Sequence, residues 1–174
     1  SVSDDGEYIA AGTLETVYLF DRDSSTPLWS YETGDRVYTV DMSSGGEYIA
    51  VGSDSDKVYL FARNSSTPLW TYDTDADVDA IAISVDGKYI VAGSGDKVYL
   101  FDKDSSTPLW SYDTDYDVLT VDISADGKYI VAGTSGYAVY IFDKNSGTPL
   151  WSYTDGGGSA HVVSISADGE YIVS

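Results

Sequence analysis

The residues best placed to do chemistry in this chain are acids. The segment DTDADVD sets Asp73, Asp75, Asp77 and Asp79 at every second position, and DTDYD repeats the pattern with Asp113, Asp115 and Asp117. Carboxylates so spaced are hard oxygen donors suited to calcium, which makes Asp73, Asp75, Asp77, Asp113, Asp115 and Asp117 the candidate metal set. The EF-hand loop, however, wants Gly at its sixth position and Glu at its twelfth, and Val78 and Ser84 stand there instead. The corresponding stretches elsewhere carry Glu32, Gly34 and Asp35, and Asp155 followed by three glycines. A solvated, turn-forming run is the better interpretation, and apart from calcium no cofactor is expected.

Other chemistries fare worse. His161 is the only histidine, and no serine, cysteine or second histidine is patterned to make it half of a nucleophilic pair. Nothing marks any two acids as the pair that cleaves a glycoside. The chain has no cysteine, which removes disulfides, zinc thiolates and thiol catalysis together. No catalytic residue is therefore assigned, and the chain is read as a non-enzyme.

The elements that position these acids follow from a repeat. Trp29, Trp70, Trp110 and Trp151 lie 41, 40 and 41 residues apart inside near-copies of STPLWSY. Gly6, Gly46, Gly87, Gly127 and Gly169 form a second ladder, each before a charged residue and a tyrosine. Such a period means a unit that cannot bury its faces alone and must stack on its neighbours. Within one unit, VLTVDIS at 118–124 alternates, with Leu119, Val121 and Ile123 on one face. The Asp126-Gly127 turn reverses the chain into KYIVAG at 128–133, where Ala132-Gly133 admits a close neighbouring backbone. AVYIFD at 138–143 is apolar on both faces, as in a strand held between two layers, and a proline connection leads to LWSYT. Four antiparallel strands per unit without helical periodicity make a β-propeller blade. The 174 residues are read as a single array with repeats at about 1–36, 37–77, 78–117 and 118–159, followed at 160–174 by an extra first strand and part of a second.

A family resemblance covers the whole chain. DRDSSTPLW, DKDSSTPLW and DKNSGTPLW resemble the tryptophan-docking motif of pyrroloquinoline-quinone-type propellers, in which an Asp stands eight residues before the Trp with a Thr-Gly between. Asp21, Asp102 and Asp143 match that Asp, Ala62 replaces it in the second repeat, and only Gly147 matches the Gly. The SADGKYIVAG half resembles the YVTN and WD-repeat propellers. The resemblance implies that Trp29, Trp70, Trp110 and Trp151 each dock on the neighbouring blade. It also implies that the connections from fourth to next first strand and from second to third strand share one face of the disc. That face would carry Asp35, Asp54, Asp56, Asp77, Asp96, Asp117 and His161, the default binding surface, because a rigid scaffold commonly puts function on its loops. A quinoprotein-like enzyme half-ring is the alternative. It is disfavoured by short connections, by the missing adjacent cysteines and by the lack of a basic cluster for the cofactor's three carboxylates.

The fold class is thus all-β, a β-propeller of four-stranded antiparallel blades, about four per chain. Ser1-Val2-Ser3 aligns with Ser164-Ile165-Ser166, so an inner strand is represented twice. Either two chains close an eight-blade ring as a homodimer, the tail of each supplying the inner strand of the other's first blade, or these residues are a fragment of a longer propeller. The first residues lack the basic-then-apolar order of a signal peptide, which fits a mature form or an excised piece. Near-identity between repeats, as in DKVYLFDKDSSTPLW and DKVYLFARNSSTPLW, suits recent duplication or an engineered scaffold without a ligand.

Charge narrows the partners. Nine basic against 29 acidic residues leave a net charge of −20, a field that repels phosphate backbones and anionic lipid. Nucleic acid and membrane insertion are not expected; a protein partner or self-association is, in an extracellular or cell-surface setting. Screening this self-repulsion with added salt should raise the melting temperature. A chelator at constant ionic strength should leave it unchanged, and a large fall in a thermal melt would instead establish the aspartates as metal ligands.

Overall fold

The computed structural model describes residues 1–154 and 160–174. Each repeat becomes an antiparallel sheet, and the sheets stack side by side. The first contains β1 (Tyr8–Gly12), β2 (Thr16–Asp21) and β3 (Trp29–Glu32), and its innermost position is marked by a single bridge, Val2 to Ile9. Three complete four-stranded sheets follow. They are β4 (Val37–Met42), β5 (Tyr48–Ser53), β6 (Lys57–Ala62) and β7 (Trp70–Asp73); then β8 (Val78–Ile83), β9 (Tyr89–Ser94), β10 (Lys97–Asp102) and β11 (Trp110–Asp113); then β12 (Val118–Ile123), β13 (Tyr129–Thr134), β14 (Ala138–Asp143) and β15 (Trp151–Thr154). A hairpin of β16 (Ser164–Ile165) and β17 (Ile172–Val173) closes the described chain. No helix occurs among the described residues, so none is long and apolar enough to cross a membrane.

Strand order follows sequence order within each sheet, and the innermost strands β4, β8, β12 and β16 succeed one another in contact. This is the β-propeller arrangement expected from the repeat. Strict alternation fails in the inner strands, where the register slips between Val37 and Thr39, between Val78 and Ala80, and between Val118 and Thr120. Such a bulge adds a residue to one strand and bends it. Val118 consequently joins Val121 and Ile123 in the buried set while Leu119 is only half-buried, correcting the face expected for Leu119.

There is no single central core. Apolar layers lie between successive sheets: Ala10, Leu19, Ile49 and Phe61 in one, Leu60, Ile83, Ile90 and Phe101 in the next, Leu100, Ile123, Ile130 and Phe142 in the third, and Val131, Ile141, Val163 and Ile165 against the last hairpin. Glycine is required where blades meet. A Cβ on Gly52 would stand 2.9 Å from the carbonyl oxygen of Val78, and one on Gly133 would stand 2.8 Å from that of Ala160. Gly127 is constrained twice. It lies at φ +68, and a Cβ there would meet the ring of Tyr89, one blade back, at 2.4 Å.

The tryptophans make the junctions specific. Trp29, Trp70 and Trp110 lie against Phe61, Phe101 and Phe142 of the following blade with centroids 5.3, 5.3 and 5.1 Å apart. Their Nε1 groups donate to the carbonyls of Arg63, Lys103 and Lys144 at 2.7, 2.8 and 2.9 Å. The same three basic side chains reach back over Tyr8, Tyr48 and Tyr89, 4.4, 5.5 and 4.7 Å from the ring centres, where cation–π attraction adds to apolar burial. Trp151 differs, standing 47% exposed with no third strand beyond it among the described residues. The motif aspartates work within their own blade: Asp21, Asp102 and Asp143 accept the backbone N–H two residues on, at 2.9, 3.0 and 2.9 Å, and so hold the turn that leads to the Trp.

Replacing Trp110 by Ala removes a ring contact and a hydrogen bond across a junction, and should cost about 3 kcal/mol. Asp104→Ala removes only an exposed ion pair to Lys103 and should cost less than about 0.5 kcal/mol. Urea unfolding of the two variants decides this; comparable losses would refute the docking role of the indole.

Candidate functional site

Two sets of connections come together on one face. They are the turns between second and third strands, residues 54–56 and 95–96, and the links between blades, residues 74–77 and 114–117. Backbone bonds tie them: Thr74 N–H to the Asp56 carbonyl at 2.7 Å, Thr114 N–H to that of Asp96 at 2.7 Å, and Val118 N–H to that of Gly95 at 2.7 Å. Ser94 Oγ donates to the Ala76 carbonyl at 2.6 Å, and Thr114 Oγ1 to that of Tyr116 at 2.7 Å. Asp56 and Asp115 adopt the left-handed backbone conformation, φ 56 and 66, which Asp tolerates better than most residues because its short side chain bonds locally. The loops are thereby rigid enough to hold charges that repel.

These loops surround an open cavity of about 360 Å³ lined by Asp56, Asp75, Asp77, Asp79 and Asp117 together with Ala76 and Gly95. Desolvation, and then the neighbouring carboxyls of Asp54 and Asp56, push Asp77 up to about 6. Asp79 is also raised, first by burial and then by Asp117 and Asp54. Tyr38 is raised chiefly by its hydrogen bond to Asp54, and the Arg36 guanidinium lies 5.7 Å from the centre of its ring. Like charges this close favour the protonated acid, so the face holds stored repulsion that a cation would relieve.

Of the residues expected on the binding face, the structure gathers Asp54, Asp56, Asp77 and Asp117. Asp35 stays with its own turn, where its carboxylate accepts from Arg36 N–H and its carbonyl from Thr33 Oγ1. Asp96 contributes its backbone carbonyl to Thr114, and His161 is exposed on the stretch that leads into β16. The six candidate calcium ligands are divided: Asp75, Asp77 and Asp117 line the cavity, whereas Asp73 pairs with Lys57, and Asp75 and Asp113 flank Lys97 at 2.6 and 3.8 Å. Among the described residues no three His, Asp or Glu are arranged to hold a metal. Asp155 and Gly156 to Gly158, named with these loops, fall outside the described residues.

Sequence reasoning gave two features no role. Asp79, named in the acidic run but left out of the candidate sets, lies at the β8 bulge and lines the acidic cavity. Asp41 and Asp122, at one repeat position on inner strands, accept the backbone N–H of Ile83 and Ile165 in the next blade at 3.0 and 2.9 Å. Asp41 is raised by burial despite those bonds. The recurrence of Asp at both positions, with Ala82 between them, was the available signal.

Residues 13–156 match the family described as outer membrane protein assembly factor BamB. A chain in a structure titled "Crystal Structure of Mitotic Checkpoint Complex" superimposes with a TM-score of 0.82 at 16% identity, over 95% of this chain and 57% of that one. At that identity the likeness concerns the fold alone, and the present chain spans little more than half of that neighbour. No curated protein matches the sequence significantly.

Because Asp77 holds its proton more tightly in the fold than in the unfolded chain, its contribution to stability is greatest at acid pH. It is lost as pH rises from the ordinary 3.8 through about 6. Asp77→Asn should therefore be more stable than the parent at about pH 7, and the gap should narrow as pH falls to about 5. Parallel thermal melts across that range read this directly; a gap independent of pH would mean that Asp77 does not titrate there.

Proposed function

The chain belongs to the repeat family described as outer membrane protein assembly factor BamB, and from that premise we propose that it is a non-catalytic β-propeller scaffold whose acidic face binds a basic protein segment. The observation that carries this reading is the convergence of Asp56, Asp75, Asp77 and Asp117 from the connections of successive blades, and of Asp79 from β8, around one open cavity. Rigid elements hold the carboxylates in place before a partner arrives. Binding therefore need not order them, and a Lys or Arg entering the cavity replaces carboxylate repulsion with attraction. The net charge of −20 extends the attraction outward and speeds encounter with a basic partner, an effect that salt suppresses.

No residue takes a catalytic role in this reading: the functional groups on the face are carboxylates, backbone amides and tyrosines, and the single His161 stands apart from the cavity on an exposed stretch. The outer-membrane term in the family description, together with the acidic composition, supports a place at the cell surface. The partners include a second copy of the chain as well as a foreign protein.

Titration with an extended lysine-rich peptide, followed by calorimetry, tests the site. Affinity should fall steeply with salt, and the combined change Asp54→Asn, Asp56→Asn and Asp77→Asn should weaken binding by at least about tenfold, the loss of roughly 1.4 kcal/mol. Neutralising Asp21, Asp23 and Asp104, which lie on the turns that lead to the tryptophans, should leave it nearly unchanged. Equal losses from the two triple variants would show attraction by net charge without a site.

A further inference from the structure

The outer side of each blade junction follows one pattern: a tyrosine two residues after the turn glycine of one blade meets a basic residue of the next. At the first junction Arg63 lies 4.4 Å from the centre of the Tyr8 ring and donates to the Gly45 carbonyl at 3.1 Å. At the second, Lys103 lies 5.5 Å from the centre of Tyr48, and its Nζ turns to the adjacent Asp104 at 2.6 Å. The third junction departs from both. Asn145 follows Lys144 where Asp104 follows Lys103, and Lys144 Nζ donates instead to Tyr89 Oη at 3.0 Å. The residue before the tyrosine also changes sign, from Glu7 and Glu47 to Lys88, which places a second ammonium 5.2 Å from the centre of the Tyr89 ring.

An ammonium that donates to a phenol oxygen favours the phenolate. Tyr89 is accordingly held below the ordinary tyrosine range, chiefly by the bond from Lys144 and further by Lys88, against the effect of burial. The same bond raises Lys144. Tyr89 is only 8% exposed, yet it lines an open cavity of about 340 Å³ with Asp102, Leu109, Trp110, Lys144 and Asn145. Leu109 and Trp110 give this cavity an apolar wall beside the phenol. A nucleophile activated by a neighbouring cation, at the edge of a space that a small molecule can enter, is arranged for covalent chemistry.

We propose that Tyr89 is a covalent modification site, the phenol of this chain that reacts first with a neutral aromatic electrophile seated between the third and fourth blades. With an aryl sulfonyl fluoride the step is a displacement at sulfur. The Tyr89 oxygen bonds to sulfur, the S–F bond breaks, fluoride departs and the phenol proton passes to solvent. Lys144 favours the attacking anion, and Leu109 and Trp110 seat the aryl group. The electrophile is neutral because a chain of net charge −20 repels anions. No residue of this cavity lines the acidic one, so the proposal is independent of the acidic-face reading.

Treatment of the 174-residue chain with benzenesulfonyl fluoride at about pH 8, below the ordinary tyrosine value of about 10, followed by peptide mapping with mass spectrometry, tests this. Tyr89 should be labelled at least about tenfold faster than any other of the sixteen tyrosines. Lys144→Met should slow labelling at Tyr89 alone by about tenfold and move its pH–rate profile upward, whereas Lys144→Arg, which keeps a cation, should retain most of the rate. Asn145→Asp supplies the acid found at the second junction and should also slow Tyr89. Even labelling of the tyrosines overturns the proposal, as does label on Lys144 in place of Tyr89, or an unchanged rate in a Lys144→Met variant with parental circular dichroism. The comparison among tyrosines is made on the parent, so it decides whether or not the variants fold.

Discussion

The seating of an indole on the phenylalanine of the next blade is the contact on which the rest of this structure depends. A four-stranded blade has two apolar faces and too little thickness to bury either by itself, so its stability lies in its neighbours. Trp29, Trp70 and Trp110 supply large apolar area and also a directional bond from Nε1 to a fixed carbonyl. Area alone would let two sheets slide. The bond and the tilt between rings set the angle of one blade to the next, and the basic residue whose carbonyl is used then closes the outer side over a tyrosine.

Rigid junctions explain how the chain tolerates its charge. The carboxylates of Asp54, Asp56 and Asp77 belong to two successive blades, and left to themselves they would separate. A backbone bond from Thr74 N–H to the Asp56 carbonyl and a side-chain bond from Ser94 Oγ to the Ala76 carbonyl anchor their loops, and the repulsion appears instead as a raised proton affinity at Asp77. Acids elsewhere are held more cheaply. Asp5, Asp86, Asp126 and Asp168 each accept from a serine hydroxyl and a backbone amide within a tight turn, and Asp5, Asp126 and Asp168 are lowered for that reason. The same residue type therefore plays opposite parts: a lone Asp in a turn is stabilised as an anion, and a crowded one is poised to accept a cation.

The repeat determined much of this protein without any coordinates. The 40-residue period, the turn glycines and the β-branched and aromatic strands are local properties, and they specified the strands, their antiparallel order and the propeller class, because a strand and a turn are chosen by residues adjacent in sequence. The docking that the family resemblance implied for the tryptophans is seen at Trp29, Trp70 and Trp110, while Trp151 stands exposed. What the tertiary structure alone decided lies between blades. That Gly127 is needed for the Tyr89 ring as well as for its own turn, that the inner strands bulge at Asp79, and that Asp56, Asp75, Asp77 and Asp117 line one cavity while Asp73 turns to Lys57 are all matters of how one sheet sits against the next. Alternating aspartates look equivalent on paper. The angle between stacked sheets, set by packing across residues some 40 positions apart, separates those that converge from those that do not.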